Sequence, residues 1–293
     1  MEQIQCPVCG SPSKLRFKLK FNVFKCAQCG LYTSDAGFDL SFKSNLELGS
    51  REVGLKKLRF ENFEIIAARL KAFKPGELHG LEIGSGNGWW LKVCQENGID
   101  CTGIEPEKVH QDYHTANGLS VYYGFYPDIA VERKEGYDFI IFNDVFEHIK
   151  TIDELLEALK KDLADDGVLI INLPMSDGFF YKTAMLLNRL GIKSYLERLW
   201  QFNFHSPHMN YFNRENLEAL LKKHGFLKAD DFELNSLDFS TAKERIKADS
   251  GVNPFKAALL TTGLSVLKPL ILSSKPDTRA FFFTKTKTVT ETA

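Results

Sequence analysis

Leu78-His79-Gly80-Leu81-Glu82-Ile83-Gly84-Ser85-Gly86-Asn87-Gly88 reads as a short strand running into a glycine loop. Glycines 84, 86 and 88 allow the backbone to turn sharply and to come close to a bound ligand. Trp89 to Gln95 then reads as a helix leaving the loop. A dinucleotide fingerprint, GxGxxG, would place its third glycine at position 89, which is Trp, so the spacing disfavours NAD. A second short strand, Asp100 to Ile104, leads to Glu105, 17 residues beyond Gly88. A carboxylate at the tip of that strand can accept hydrogen bonds from both ribose hydroxyls of a nucleotide-like ligand.

Upstream of the loop, Phe63, Ile66, Ala67, Leu70 and Phe73 recur at helical spacing until Pro75-Gly76 stops the element. Downstream, Tyr137 to Phe142 is a buried-strand pattern, followed by Asn143-Asp144-Val145-Phe146-Glu147-His148-Ile149. Ile152 to Leu163 is an amphipathic helix, Asp166-Gly167 a turn, and Val168 to Leu173 another buried strand ending at Pro174.

Taken in order, Leu81–Gly88, Gly103-Ile104-Glu105-Pro106, Tyr137–Ile149 and Gly167–Pro174 resemble the successive motifs of class I S-adenosylmethionine-dependent methyltransferases. The resemblance spans roughly residues 60–235, and the order of several motifs makes it specific. It implies an α/β fold: a Rossmann-like, seven-stranded, mostly parallel methyltransferase sheet with helices on both faces. It further implies that Glu82, Gly84, Ser85, Gly86, Asn87 and Gly88 surround the methionine part of the cofactor and that Glu105, followed by Pro106, holds its ribose. Asn143, Asp144 and Val145 would complete the cofactor side. Asp144 and His148 are the candidates for chemistry, and in relatives such as the ubiquinone-biosynthesis O-methyltransferases the pair matching Glu147-His148 borders the active site. The structural alternatives are that Asp144 caps the next helix and that His148 packs under the sheet. One departure is visible: Val121-Tyr122-Tyr123-Gly124-Phe125 carries no acid to read adenine, so stacking on Tyr123 or Phe125 is the expected substitute.

Four of the six cysteines lie in the first 29 residues, as Cys6-Pro7-Val8-Cys9 and Cys26-Ala27-Gln28-Cys29. Each CxxC offers two thiolates from one tight turn, and four thiolates close a tetrahedral Zn²⁺ shell, so a structural zinc ribbon is expected. Gly10 and Gly30 follow each pair at the same offset. Between them Lys14, Arg16, Lys18 and Lys20 alternate with Leu15, Phe17, Leu19 and Phe21, a strand pattern with one basic face. That face is either solvated or a contact surface for RNA or a phosphorylated substrate.

Between Pro174 and Glu215 lies an apolar stretch longer than an ordinary connection, expected to form a helical lid over the substrate side. Its alternative is peripheral membrane contact, with Lys182, Arg189, Lys193 and Arg198 toward headgroups. The lid is followed by His205-Ser206-Pro207-His208-Met209-Asn210-Tyr211-Phe212. In small-molecule members of the resembled family a histidine and a tyrosine here line the substrate pocket, so His205, His208 and Tyr211 join His148 as catalytic candidates. Structural packing is the alternative, and a metal at His205 and His208 is disfavoured without a nearby carboxylate. Asp231–Phe239 and Ala280–Thr286 look like the antiparallel pair that closes the sheet. Residues 240–278 form an insertion with a helix around Phe255–Leu267.

The expected organisation is a zinc ribbon over 1–35, a linker and helix over 36–76, the first part of the core over 77–176, the lid over 177–214, and the rest of the core over 215–293. The 293 residues hold 37 Lys+Arg against 38 Asp+Glu, which argues against a general polyanion binder. Met1–Gln5 lacks the character of a signal peptide, and Phe255 to Leu272 carries Lys256, Lys268 and Pro269, so a cytoplasmic protein without a membrane span is expected. The leading expectation is methyl transfer from S-adenosylmethionine to oxygen of a sugar or glycan-precursor acceptor. Sugar C-methyltransferases resemble the chain in pairing a Cys₄ module with this fold, but add a carboxyl-terminal domain for which this length leaves no room. Alternatives are an RNA methyltransferase gripping RNA with the ribbon, and a non-catalytic cofactor-binding protein. Acceptor identity and oligomeric state are not readable from the sequence.

Overall fold

The computed structural model describes residues 3–37, 48–129, 131, 133–202, 204–239 and 254–286. Parts of the expected linker (38–47) and of the expected insertion (240–253) lie outside the described residues.

Strands β1 (Gln3–Gln5), β2 (Pro12–Lys18), β3 (Asn22–Cys26) and β4 (Tyr32–Ser34) precede helix α1 (Leu48–Phe73). The chain then alternates through β5 (His79–Ile83), α2 (Trp89–Glu96), β6 (Asp100–Glu105), α3 (Gln111–Ala116), β7 (Val121–Tyr123), β8 (Tyr137–Asn143), α4 (Ile152–Asp162) and β9 (Leu163–Pro174). Next come α5 (Phe179–Arg189), α6 (Ser194–Leu199), the two-residue strand β10 (Asn210–Tyr211), α7 (Arg214–Lys223), β11 (Phe226–Leu234), α8 (Pro254–Leu272) and β12 (Thr278–Lys285).

The main sheet has the order β7-β6-β5-β8-β9-β12-β11. Its first five strands are parallel, and β12 runs antiparallel to both β9 and β11. This is the seven-stranded, mostly parallel sheet expected from the motif order. Phe139–Phe142, Val168–Ile171 and Phe281–Phe283 are fully buried, because helices cover both faces. Ile140, Phe142, Leu169, Ile171, Phe281 and Phe283 pack with the leucines of α4 and α7. Phe139, Ile141, Val168, Ile170 and Phe282 point the other way, onto α1 and α2. Gly80 sits opposite Phe139, and a Cβ there would stand 1.9 Å from the ring.

The order reverses at β5: the chain first adds β6 and β7 on one side, then β8 and β9 on the other. A crevice at the carboxyl ends of β5 and β8 follows, and ligands of open α/β sheets bind at such a switch point.

Two boundaries differ from expectation. β9 begins at Leu163, before the expected Asp166-Gly167 turn. Its pairing jumps from Leu163 opposite Tyr137 to Val168 opposite Phe139, so the turn is a bulge within the strand. The closing strand expected over Asp231–Phe239 starts earlier, at Phe226, directly after the left-handed Gly225 (φ +77°), because the buried Phe226 side chain belongs to the core.

β10 pairs antiparallel with β4, so the amino-terminal sheet has five strands, β1-β2-β3-β4-β10, one of them from the second half of the chain. Cys6, Val8, Cys26 and Leu31 share a core with α4, α7 and Phe212. Phe17, Val23 and Tyr32 share another with Tyr181, Leu196, Trp200 and Tyr211. The exposed side of β2 carries Lys14, Arg16 and Lys18, as its alternation suggested. Among the described residues, no helix is long and apolar enough to cross a membrane.

Candidate active site and zinc ribbon

At the tip of β5, Gly84 N and Ser85 N both donate to Ile104 O of β6, at 2.8 and 3.1 Å, so the glycine loop folds over the neighbouring strand. Gly84, Gly86 and Gly88 have φ of +75°, +50° and +75°, where a side chain is strained. A Cβ at Gly84 would meet Val145 at 2.6 Å, and one at Gly88 would meet Leu119 at 2.8 Å. At Gly86 nothing lies within 4 Å.

Glu105 is 8% exposed and holds the loop in place: Oε2 accepts from Gly86 N at 2.7 Å, and Oε1 from Glu107 N at 3.0 Å. Burial raises its pKa. His114 supports the same loop from α3. Its Nε2 donates to Gly86 O at 3.0 Å, which leaves Nδ1 to accept from Tyr123 Oη at 2.9 Å, and burial lowers the pKa of the ring. Tyr123, expected under adenine, stacks on His114, and Phe125 is exposed.

Glu82, Gly84, Ser85, Gly86, Asn87 and Asn143 line one cavity, together with Arg59 and Phe63 of α1 and with Trp89 and Trp90. A buried polar ladder crosses the sheet beneath it. Asn172 Nδ2 donates to Asn143 Oδ1 (3.3 Å), and Asn143 Nδ2 donates to Glu82 Oε1 (2.9 Å). Glu82 is fully buried, which pushes its pKa well up. Glu82 Oε2 and Ser85 Oγ have no hydrogen-bond partner among the described residues. Arg59 pairs with Asp144 at 2.9 Å, and Asp144 itself is held at φ +54°. Asp144 therefore anchors α1 rather than capping a helix. The donor set fits S-adenosylmethionine: Glu82 for an amino group, Arg59 for a carboxylate, and the open lone pairs of Glu105 for a ribose diol.

On the far side of Asp144, a 3₁₀ turn over Phe146–His148 brings Glu147 and His148 against His208. His208 Nε2 lies 3.8 Å and His148 Nε2 4.0 Å from Glu147 Oε1, and the two rings are 4.6 Å apart. Glu147 is fully buried, and burial raises its pKa well above the usual carboxylate range. His205 lies apart from this cluster, 3.3 Å from Glu107 near the tip of β6. Tyr211 is buried in β10, with its ring 4.3 Å from Tyr181 and 5.3 Å from His208. Arg59, His114, Asn172, Gln201 and the burial of Glu147 escaped sequence reasoning. Arg59 is one cation among several on α1, and His114 and Gln201 stand in no motif.

In the ribbon, Gly10 N donates to Cys6 O and Gly30 N to Cys26 O, at 2.9 and 3.1 Å, giving two equivalent knuckles with both glycines at positive φ. Cys6 and Cys29 sulfurs lie 3.4 Å apart, Cys9 and Cys26 sulfurs 3.5 Å, and all four fall within 4.8 Å of one another. Tetrahedral Zn–S bonds of about 2.3 Å require sulfurs about 3.8 Å apart, so the thiols fit a closed structural zinc site.

The doubly covered parallel sheet, the glycine loop at its switch point and the acid at the second strand define a class I S-adenosylmethionine-dependent methyltransferase. The model of a methyltransferase-domain family matches residues 56–228, more than half of the chain, and the protein belongs to that family. No curated protein matches the chain by sequence. Among solved structures it is similar to Haemonchus contortus phosphoethanolamine N-methyltransferase 2 (TM-score 0.55, 16% identity, 82% of this chain and 57% of that one). It is also similar to a SAM-dependent methyltransferase from Thermotoga maritima (TM-score 0.51, 16% identity, 81% and 94%). A third is the mitomycin 7-O-methyltransferase MmcR (TM-score 0.51, 13% identity, 82% and 57%). These likenesses concern the fold; the neighbours methylate both nitrogen and oxygen.

Proposed function

We propose that the protein methylates a hydroxyl of a small-molecule acceptor of the sugar or glycan-precursor type. One observation carries the reading: beside Asp144, at the carboxyl end of β8, two imidazoles and a buried carboxylate converge from the turn after β8 and the segment before β10. An alcohol has a high pKa and attacks poorly while protonated. A neutral imidazole that takes its proton contributes about 10²–10⁴-fold. S-adenosylmethionine, when bound, supplies an electrophilic methyl on its sulfonium sulfur.

In this reading the loop Gly84–Gly88 leaves room for the cofactor, with Asn87 and Val145 at its edges. Glu105, beside Pro106, takes the ribose, and Glu82, Asn143 and Arg59 take the amino-acid end. His148 and His208 face the acceptor, His205 stands at its margin with Glu107, and Tyr211 backs His208. Aligning acceptor and methyl is itself worth about 7–11 kcal/mol. The sugar class rests on analogy alone, since sugar C-methyltransferases also pair a Cys₄ module with this fold.

The test is transfer of labelled methyl to a panel of nucleotide sugars, phenols, amines and transfer RNA, with the product located by NMR. An O-methyl sugar is expected. Transfer confined to amines or to RNA overturns the proposal.

A further inference from the structure

Helix α8 is apolar, yet none of its described residues is buried. From Leu264 to Leu272 it reads Leu-Ser-Val-Leu-Lys-Pro-Leu-Ile-Leu, and Val266, Leu270 and Leu272 are 73%, 53% and 67% exposed. A helix that is apolar on every side is ordinarily buried, in protein or in lipid. Contiguous apolar surface left open to water marks a place where something else docks.

Helix α5 presents a second exposed stripe. Its inner residues Tyr181 and Ala184 share a core with Phe17, Val23 and Tyr32 of the ribbon. Lys182, Leu186, Arg189 and Leu190, at i, i+4, i+7 and i+8, fall together on the outer side, with Leu186 56% and Leu190 70% exposed. The two exposed elements meet at one end. Phe179 N donates to Lys275 O at 3.3 Å, just past α8, and Lys275 Nζ lies 3.0 Å from Asp177. An open cleft of about 360 Å³ separates them. Its lining joins two lysines (Lys182, Lys275) and two hydroxyls (Thr183, Ser274) to the apolar Phe179 and Leu186, while Asp177 offsets one of the lysines.

The chain as a whole is electrically balanced, and these two segments are not. Residues 178–202 and 254–275 hold seven Lys and Arg against one acid, Glu197. Exposed aliphatic side chains set among cations match the boundary of an anionic bilayer, where apolar groups enter the acyl region and cations meet phosphates. A second copy of the chain would bring the same cations to a twofold contact, and like charges there oppose pairing. We propose that the outer sides of α5 and α8 dock on an anionic phospholipid surface, with a lipid phosphate in the cleft between Lys182 and Lys275. There the Thr183 and Ser274 hydroxyls donate to the phosphate, and Phe179 and Leu186 meet the methylenes next to it. The docking is independent of the hydroxyl reading above.

The experiment is co-sedimentation of the full chain with vesicles of phosphatidylcholine alone and of phosphatidylcholine with phosphatidylglycerol. Binding is expected to the anionic vesicles and should weaken as salt is raised. Lys182→Ala and Lys275→Ala should each lower the partition coefficient about fivefold, the weight of one cation near such a surface. Leu190→Glu combined with Val266→Glu should abolish binding, and an unchanged titration with S-adenosylhomocysteine establishes that each variant is folded. Wild-type chain that stays in the supernatant beside anionic vesicles overturns the proposal, as does binding undiminished by the paired Glu substitutions. Light scattering that finds a lipid-free dimer broken by the same pair also overturns it, because a second copy then covers the face. The readout uses no acceptor, so failure to find a sugar substrate leaves it standing.

Discussion

Replacing Glu105 with Ala separates the architecture of the glycine loop from its use. A carboxylate offers about four acceptor sites. Gly86 N and Glu107 N occupy one on each oxygen, at 2.7 and 3.0 Å. Those remaining are available to a ribose diol. Hydrogen bonds to a charged partner contribute about 1.5–3 kcal/mol each. Losing one or two therefore costs about 1.5–6 kcal/mol, and even the lower figure corresponds to more than tenfold in Kd. Glu105→Gln fares little better, because its amide nitrogen must face one of the two backbone donors. The pH dependence has a definite sign. Burial raises the Glu105 pKa, and the ionised form accepts the ribose, so affinity declines as pH falls, beginning above the ordinary carboxylate range. The Ala variant should lose that acid limb. Calorimetric titration with S-adenosylhomocysteine, beside a thermal melt to confirm folding, reads both effects. A Kd unchanged within threefold in a folded Glu105→Ala variant refutes the assignment.

Gly86→Val introduces a side chain at φ +50° into open space lining the cavity; cofactor binding should be lost in titration, while stability falls by only about 1–2 kcal/mol of backbone strain. A folded variant with native affinity would contradict the cavity assignment. Gly80→Ala needs no unusual backbone, yet its Cβ would overlap the Phe139 ring at 1.9 Å, so urea unfolding should show a loss of about 1–3 kcal/mol, with equal or higher stability as the disproof. Zinc removal by a strong chelator should abolish acceptor turnover and lower the melting temperature while titration still detects S-adenosylhomocysteine. Chelated, zinc-free protein with full turnover would break the link between ribbon and site.

The glycine-loop cavity was largely legible in the sequence because it is built from consecutive residues. Leu78–Gly88 carries strand, turn and open backbone within one stretch, and Glu105 follows at the end of the next strand. Strands such as Phe139–Phe142 announce themselves as apolar runs, since burial on both faces removes any need for polar alternation. The supports of the site were not legible. Arg59 reaches Asp144 only because α1 packs across the crevice, and His114 reaches Gly86 O only once α3 folds over the loop. Neither contact follows from spacing along the chain. The same holds for His205 and His208: they stand three residues apart in the sequence, yet one turns to Glu107 and the other to Glu147.

The ribbon explains how that divergence is maintained. β4 pairs with β10 residue for residue, Thr33 opposite Asn210 and Tyr32 opposite Tyr211. One step earlier, Ser34 N donates to Met209 O and Ser34 Oγ to His208 O, both at 2.8 Å. From the opposite side Met209 N donates to Glu147 O. The His208–Tyr211 segment is thus clamped between the turn that carries Glu147 and a strand whose other neighbours are the zinc knuckles. Two residues of strand would not hold such a position alone, because an isolated pair of short strands is marginal in water. A metal-closed ribbon supplies rigidity without needing a large core of its own. Its exposed basic strand is one face of the module. The opposite edge pairs with β10 and holds the His208–Tyr211 segment, which the proposed function places on the acceptor side.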